Sequence, residues 1–241
     1  MTPEQQLADL RATHDALLQA IAHDLRAPLR HFTAYGALVQ EALDDAPPTP
    51  ALQEAQGFVA TMDQSARRMG RMIDGPQALG RAGRAPLQLQ PVPLAEAVAQ
   101  ARAALAPGAV DWRIAPQLPT LQADAALLQM LLVELLGNAL KFTRHAASPQ
   151  ISVQPDAAPP GRVAFAVADN GAGFDPARAG TLFGIFQRLH RETEFDGVGA
   201  GLALCRAIVQ RHGGRITATA QPGAGCTVRV EWPAAEPSNA R

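Results

Sequence analysis

His23 and Asp24 stand side by side in Ile21-Ala22-His23-Asp24-Leu25-Arg26-Ala27-Pro28-Leu29, and such a pair could carry out chemistry at phosphorus. The attacking group must be an unprotonated imidazole nitrogen, and a histidine with a pKa near ~6.5 is mostly neutral at pH 7. Asp24 could accept the hydrogen of the other ring nitrogen, fixing the tautomer and taking up positive charge as the bond forms. Adjacent helix residues diverge, so that contact depends on rotamers. In a helix His23 lies about 200° around from Ile21 and Leu25, turned away from the apolar seam they belong to. Pro28 removes a backbone hydrogen bond to Asp24 and permits a bend there. A lone helical histidine is usually a surface or core residue. The carboxylate beside it and the proline one turn on make this one a candidate catalytic pair.

A second set of residues suits a magnesium-bound phosphate. Glu134, Asn138 and Lys141 recur at i, i+4 and i+7 on one face of a helix otherwise filled with leucine and valine. The bland reading is a solvated stripe. A carboxylate, an amide and an ammonium are also what a hard cation and its phosphate partner require. Lys141 is the sole lysine among 21 basic residues, a hint that a compact ammonium matters there. Asp169-Asn170-Gly171-Ala172-Gly173 follows a predicted strand and by itself reads as a turn. Functionally, Asp169 could accept the exocyclic amine of adenine while Gly171 and Gly173 let the backbone approach the ring.

Gly197-Val198-Gly199-Ala200-Gly201 opens a helix at Leu202, where backbone N–H groups and the helix dipole make a phosphate cradle. Its GxGxG spacing is not GxGxxG, follows no strand directly and lacks the Walker lysine, so Rossmann and P-loop readings both fail. In Leu182-Phe183-Gly184-Ile185-Phe186-Gln187-Arg188-Leu189-His190 the two phenylalanines three residues apart read first as core. In this setting they anchor a lid over about 174–200, from which Arg188, His190 and Arg191 could reach phosphate oxygens.

These residues need two kinds of scaffold. Residues from about 4 to 43 read as one helix about 60 Å long, with an apolar seam at Leu18, Ile21, Leu25, Pro28, Phe32, Tyr35, Val39 and Ala42. Prolines 47, 48 and 50 break it, and a second helix over about 51–79 carries its own seam at Leu52, Ala55, Val59, Met62, Ala66, Met69 and Ile73. Such a hairpin covers stripes this wide by pairing with a second copy as a four-helix bundle, so a homodimer is expected.

Glycines and prolines over 80–93 read as a linker, giving domains at 1–80 and 93–234, a linker at 81–92 and a tail at 235–241. In the second domain helices are expected at 93–105, 123–142 and 202–212, the last closed by Gly213-Gly214. Strands are expected at 150–154, 163–168, 215–220 and 226–232. Helices and strands thus mix as an α/β sandwich, and the chain as a whole is α+β.

Composition narrows the partners. The chain is 47% hydrophobic and 18% charged with a net charge of −1, which leaves no electrostatic footprint for nucleic acid or anionic lipid. Cys205 and Cys226 are too few for a disulfide framework and lack metal-ligand spacing. They read as small buried residues of a reducing, cytoplasmic compartment. No continuous run of about 18 apolar residues suggests a spanning helix, and the polar N-terminus does not read as a signal peptide. Sensory input is therefore expected from another chain or an upstream domain.

The order of these segments is itself informative. HDLRAPLRHF resembles the H box of sensor histidine kinases as written in phytochrome-type kinases. The segments around Asn138, Asp169, Phe183–Phe186 and Gly197–Gly201 are similar, in order, to the N, G1, F and G2 boxes of the histidine-kinase catalytic domain. Gly223-Ala224-Gly225-Cys226-Thr227 resembles the closing glycine turn, and FQRLHRE and GLALCRAIVQRHGGRI again look phytochrome-like. The resemblance spans residues 15 to 233. It implies a dimerisation and phosphoacceptor domain followed by the GHKL (Bergerat-type) ATP-binding fold of chaperones, mismatch-repair ATPases and type II topoisomerases.

The resemblance further implies ATP and Mg²⁺ as cofactors, with Mg²⁺ on Asn138 and Glu134, adenine on Asp169, and phosphate contacts from Lys141 and the Gly199–Gly201 loop. His23 would be the phosphoacceptor, Asp24 its acid/base partner, and an aspartate on a response regulator receiver domain the next recipient. Ala27 departs from relatives that carry threonine or asparagine there for dephosphorylation, so phosphatase activity is expected to be weak. Ala172 and Ala200 replace bulkier aliphatic residues without removing a chemical group. Two other readings remain at this stage: a phosphorelay scaffold with a degenerate ATP site, and an ATPase that forms no phosphohistidine.

Overall fold

The structure, a computed structural model, describes the backbone of residues 2–234 except 48, 85, 106–107, 192–193 and 196. Within that range the side chains of 3–4, 6–19, 23, 68, 71 and 74–84 lie outside the described set. The chain divides into two compact units, residues 1–80 and 81–241.

The first unit is a helical hairpin. Thr2 caps α1 (Pro3–Asp44), its hydroxyl accepting from the Gln5 N–H while the Gln5 side chain accepts from the Thr2 N–H. Pro28 lies inside this helix. Thr49 caps α2 (Pro50–Arg84) by accepting from the Leu52 N–H at 3.1 Å. The helices run antiparallel: Gln56 at the start of α2 donates to Asp44 at the end of α1, while Gly70 further along α2 meets the Leu29 side chain.

On α1 the contact inside the hairpin lies one residue beyond the expected seam, at Ala22, whereas on α2 it falls on the expected seam at Ala66. Ala22 is 6% exposed and Ala66 3%, whereas Ile21, Leu25, Phe32, Tyr35 and Val39 of the expected seam are 46–67% exposed. Small residues let the two helices approach closely, so the hairpin closes on alanine and glycine and leaves its bulky stripe uncovered. Phe58, Met62 and Met69 of α2 are exposed too.

The expected linker is also shorter than read. Helix α2 continues to Arg84, and Leu89–Pro93 forms β1, paired antiparallel with β3 (Thr120–Asp124). Pro91 and Pro93 are tolerated because β1 has a partner on one side only.

In the second unit α3 (Leu94–Ala104) leads to β2 (Asp111–Ile114), and α4 (Ala125–Thr143) follows β3. Then come β4 (Gln150–Asp156), β5 (Arg162–Asp169), α5 (Gly201–Arg211), β6 (Arg215–Ala220) and β7 (Cys226–Pro233). The sheet order is β2-β4-β5-β7-β6, parallel only between β2 and β4. Alternate residues Ile151, Val153, Phe165, Val167, Val230 and Trp232 are buried in the sheet, as are Val98, Leu131, Leu132, Leu136, Ile208 and Val209 on the helices. Helix α4, which packs against α3, α5 and β5, is long and apolar enough to meet the bare criteria for a membrane span. Here its leucines form the core.

Asp124 begins α4 by accepting from the N–H groups of Ala126 and Leu127. His212, at the end of α5, accepts from the Asp124 N–H at 3.1 Å and donates through Nδ1 to the Ile208 carbonyl. The α4 start and the α5 end are thereby pinned together. Burial holds the His212 pKa below its ordinary value.

Candidate functional site

Seven positions of α4, among them Leu131, Leu132, Leu135 and Leu136, are buried, leaving Glu134, Asn138 and Lys141 on the partly exposed stripe that the spacing predicts. The glycine loop before α5 runs past this stripe in the opposite sense. A Cβ built on Gly197 would lie 3.4 Å from Lys141 Nζ. One built on Gly201 would collide with the Glu134 carboxylate and come within 3.9 Å of Asn138 Nδ2. Glycine at 201 thus lets the first turn of α5 lie directly against the Glu134 carboxylate and close to the Asn138 amide. Leu202 is the second residue of α5 and is half-buried.

That donor set suits a hard divalent cation. A carboxylate and an amide oxygen leave most of an octahedron to phosphate and water, as Mg²⁺ prefers. Among the described residues no cluster of three or more histidine, cysteine, aspartate or glutamate side chains offers an all-protein metal cage. Burial pushes the Glu134 carboxyl up, and the nearby Lys141 charge opposes that rise. Beneath it, Cys205 is fully buried, with its thiol pushed well above the usual range.

Asp169 ends β5. Its carboxylate accepts from the Gly171 N–H at 2.9 Å, yet burial raises its pKa to about 6, partly offset by that bond and by one from the Cys226 N–H. The adjoining loop crosses other backbone closely. The Cβ direction at Gly171 is filled by the Phe142 carbonyl, and at Gly173, with φ +59°, by the Gln221 carbonyl. Sequence reasoning gave these glycines to a ligand's ring; the side where a Cβ would sit belongs to protein backbone. This close crossing seats Asp169 and the end of α4 against each other.

The lid expected from sequence covers residues 174–200, of which 192–193 and 196 lie outside the described residues. A short 3-10 helix, Pro176–Thr181, is capped by Asp175. Arg178 donates to the carbonyls of Arg188 and Leu189, and Arg188 to that of Phe195 at 2.8 Å. The Arg188 guanidinium is thus engaged with the lid's own backbone. Phe183 is half-buried, but Phe186 is 47% exposed with φ +60°, outside the core where its spacing first placed it. Its N–H donates to the Gly199 carbonyl, tying the phenylalanine segment to the glycine loop.

Sequence reasoning missed Phe195. It is 6% exposed, against Phe142, His145 and His190, and lies in a charged run that offers no periodicity. Only a single aromatic residue amid polar neighbours could have marked it.

His23 and Asp24 belong to the hairpin unit. The backbone of His23 lies in α1, but its side chain, and so its expected outward angle, falls outside the described residues. Asp24 is exposed and Ala27 half-buried.

Comparison with known proteins places these features. Residues 123–236 match the family model for histidine kinase-, DNA gyrase B- and HSP90-like ATPases. The chain is 34% identical over 224 residues to the sensor protein KdpD of Escherichia coli, covering 91% of this chain and 24% of KdpD. It is 32% identical over 219 residues to the phytochrome-like protein Cph1 of Synechocystis, covering 88% of this chain and 28% of Cph1. The structure of full-length ShkA in complex with AMPPNP matches at a TM-score of 0.63 and 26% identity, over 100% of this chain and 48% of ShkA. The chain therefore spans about a quarter of the length of these two curated relatives. Residues 123–236 are a histidine kinase-type GHKL ATP-binding region, in a chain similar to sensor histidine kinases and phytochromes along most of its length.

Proposed function

We propose that the chain is the transmitter part of a two-component sensor histidine kinase, which binds Mg-ATP and moves its γ-phosphoryl group first to His23 and then to an aspartate of a response regulator receiver domain. The observation that carries this reading is the opposition of Gly201 to Glu134 and Asn138, with Gly197 beside Lys141. It sets the first turn of a helix directly against hard oxygen ligands, with a lysine ammonium beside the glycine loop that leads into it. The AMPPNP held by ShkA is an ATP analogue and supports the same ligand class.

In this reading Asn138 and Glu134 hold Mg²⁺, which when bound neutralises phosphate charge. Asp169 accepts the adenine amine. Lys141 and the N–H groups around Gly199, Gly201 and Leu202 hold the phosphates, while the lid bearing Arg188 covers them. His23 attacks as the neutral imidazole, with Asp24 fixing its tautomer. The bulky exposed stripe of α1 and α2 supports a homodimeric four-helix bundle. The phosphoacceptor domain then lies within residues 1–80 and the catalytic domain within 93–234. The protein works in the cytoplasm, takes its input from another chain or an upstream domain, and is a poor phosphatase because Ala27 cannot orient a water.

Incubation with γ-labelled ATP tests the reading. Acid-labile, base-stable label on the protein that disappears in His23→Gln and in Asn138→Ala is expected. ATP turnover without label would replace the kinase with a simple ATPase, and neither turnover nor label would leave a scaffold.

A further inference from the structure

We propose that Phe195 is a positioning residue that presets Lys141 for the phosphate chain of the nucleotide, acting through an aromatic clasp between the lid and the end of α4. The proposal rests on the nucleotide reading above.

Phe195 is held from several sides. Its ring meets Phe142 edge-on at 5.0 Å, His190 at 5.0 Å and His145 at 5.6 Å. The Arg144 guanidinium lies 4.9 Å from its centroid, and the same guanidinium donates to the carbonyl of Glu194. The Phe195 carbonyl accepts from Arg188. Edge-to-face pairs and a cation over a ring each add attraction beyond area burial, so this one lid residue is strongly tied to the last turn of α4.

The clasp then reaches Lys141. Phe142 packs against Phe195 and, at 5.2 Å, against His190, while the Lys141 ammonium sits 4.3 Å from the Phe142 ring centroid. Gly197, two residues beyond Phe195, passes close to the same ammonium without a side chain to displace it. A lysine stem has many rotamers, and ordering it when ligand arrives costs binding free energy. A ring that already selects one arrangement removes much of that cost. Phe195 touches no ligand in this account; it holds the ring that holds the lysine.

Lys141 is the only lysine in the chain, so one lysine side chain can be watched alone. With ¹³C-lysine labelling, the nucleotide-free protein should show its ε-methylene resonance displaced upfield by the Phe142 ring. Phe195→Leu should lose most of that displacement, and Phe195→Tyr should retain it. Mg-ATP affinity should fall about tenfold in Phe195→Leu, while Lys141→Met should bind no more weakly when Phe195→Leu is added. An unchanged lysine resonance in Phe195→Leu overturns the proposal. So does an equal loss of affinity in the Lys141→Met background, which would mark Phe195 as merely structural. A wild-type lysine resonance that ignores Mg-ATP would instead overturn the nucleotide reading. The two failures are distinct because the first comparison uses no nucleotide.

Discussion

Gly201 and Glu134 face each other so closely that the Cβ of any other residue at 201 would overlap the carboxylate. This relationship joins the first turn of α5 to the middle of α4. Gly201→Ala should therefore force the Glu134 carboxylate off its position and crowd Asn138, at little cost in folding stability because the displaced atoms end a flexible side chain. The larger expected effect is on ligand: calorimetry should show Mg-ATP affinity down more than about tenfold. Binding within twofold of wild type would mean that the placement of Glu134 against Gly201 does not serve the ligand.

Asp169 gives a pH dependence. Folding raises its pKa from 3.8 to about 6, so the native state disfavours the charged carboxylate. The stability cost is present in full above pH 6 and relieved as the pH falls from about 6 towards 4; it is on the order of 3 kcal/mol. Asp169→Asn removes that cost, so the variant should gain stability at pH 7.5 and little at pH 4 in thermal unfolding. Adenine binding has the opposite demand, because the carboxylate must be charged to accept the amine strongly. Nucleotide affinity should weaken as the pH drops through 6, and in Asp169→Asn that slope should vanish.

The bulky stripe on the hairpin predicts assembly. Phe32 is 59% exposed and Tyr35 67%, beside exposed Leu25 and Val39. Phe32→Asp would place a charge within that stripe, and sedimentation should then show a monomer where the wild type is a dimer. The thermal transition of the second unit should be unchanged. Sedimentation of Phe32→Asp as a dimer would rule this face out as the contact.

How far these relationships could be read in advance depended on residue size. Helix α4 was legible because its leucines repeat at helical spacing behind Asp124, and the Glu134–Asn138–Lys141 stripe came with it. Strands β4 to β7 were legible through alternation. On α1 the inner face is displaced from the expected seam because it is built on Ala22, which carries little apolar weight beside Phe32 or Tyr35, whereas on α2 the expected position Ala66 is buried. Strand β1 was hidden by two prolines, and β2, at four residues, was too short to show a period. The ties to backbone carbonyls of the 174–200 segment, from Arg178 and Arg188 within it and from Arg144 at the end of α4, depend on a chain path that no local pattern specifies.

Ala27 yields the last prediction. One turn after His23, it has no group that could align a water for attack on the phosphoryl group of a response regulator. Ala27→Thr supplies a hydroxyl there, and in a helix a threonine can satisfy its own hydrogen by donating to a carbonyl one turn back, as Thr33 does to Leu29 at 2.7 Å. Its oxygen lone pairs remain available to water. Dephosphorylation of a phosphorylated receiver domain should accelerate in Ala27→Thr, while His23 labelling from ATP, which does not use that water, stays within about threefold. The half-buried setting of Ala27 makes a control necessary. Ala27→Val adds nearly the same volume without the hydroxyl, and it should leave dephosphorylation as slow as wild type. Equal acceleration by valine would assign the effect to a shift of the helix and remove the water from the account.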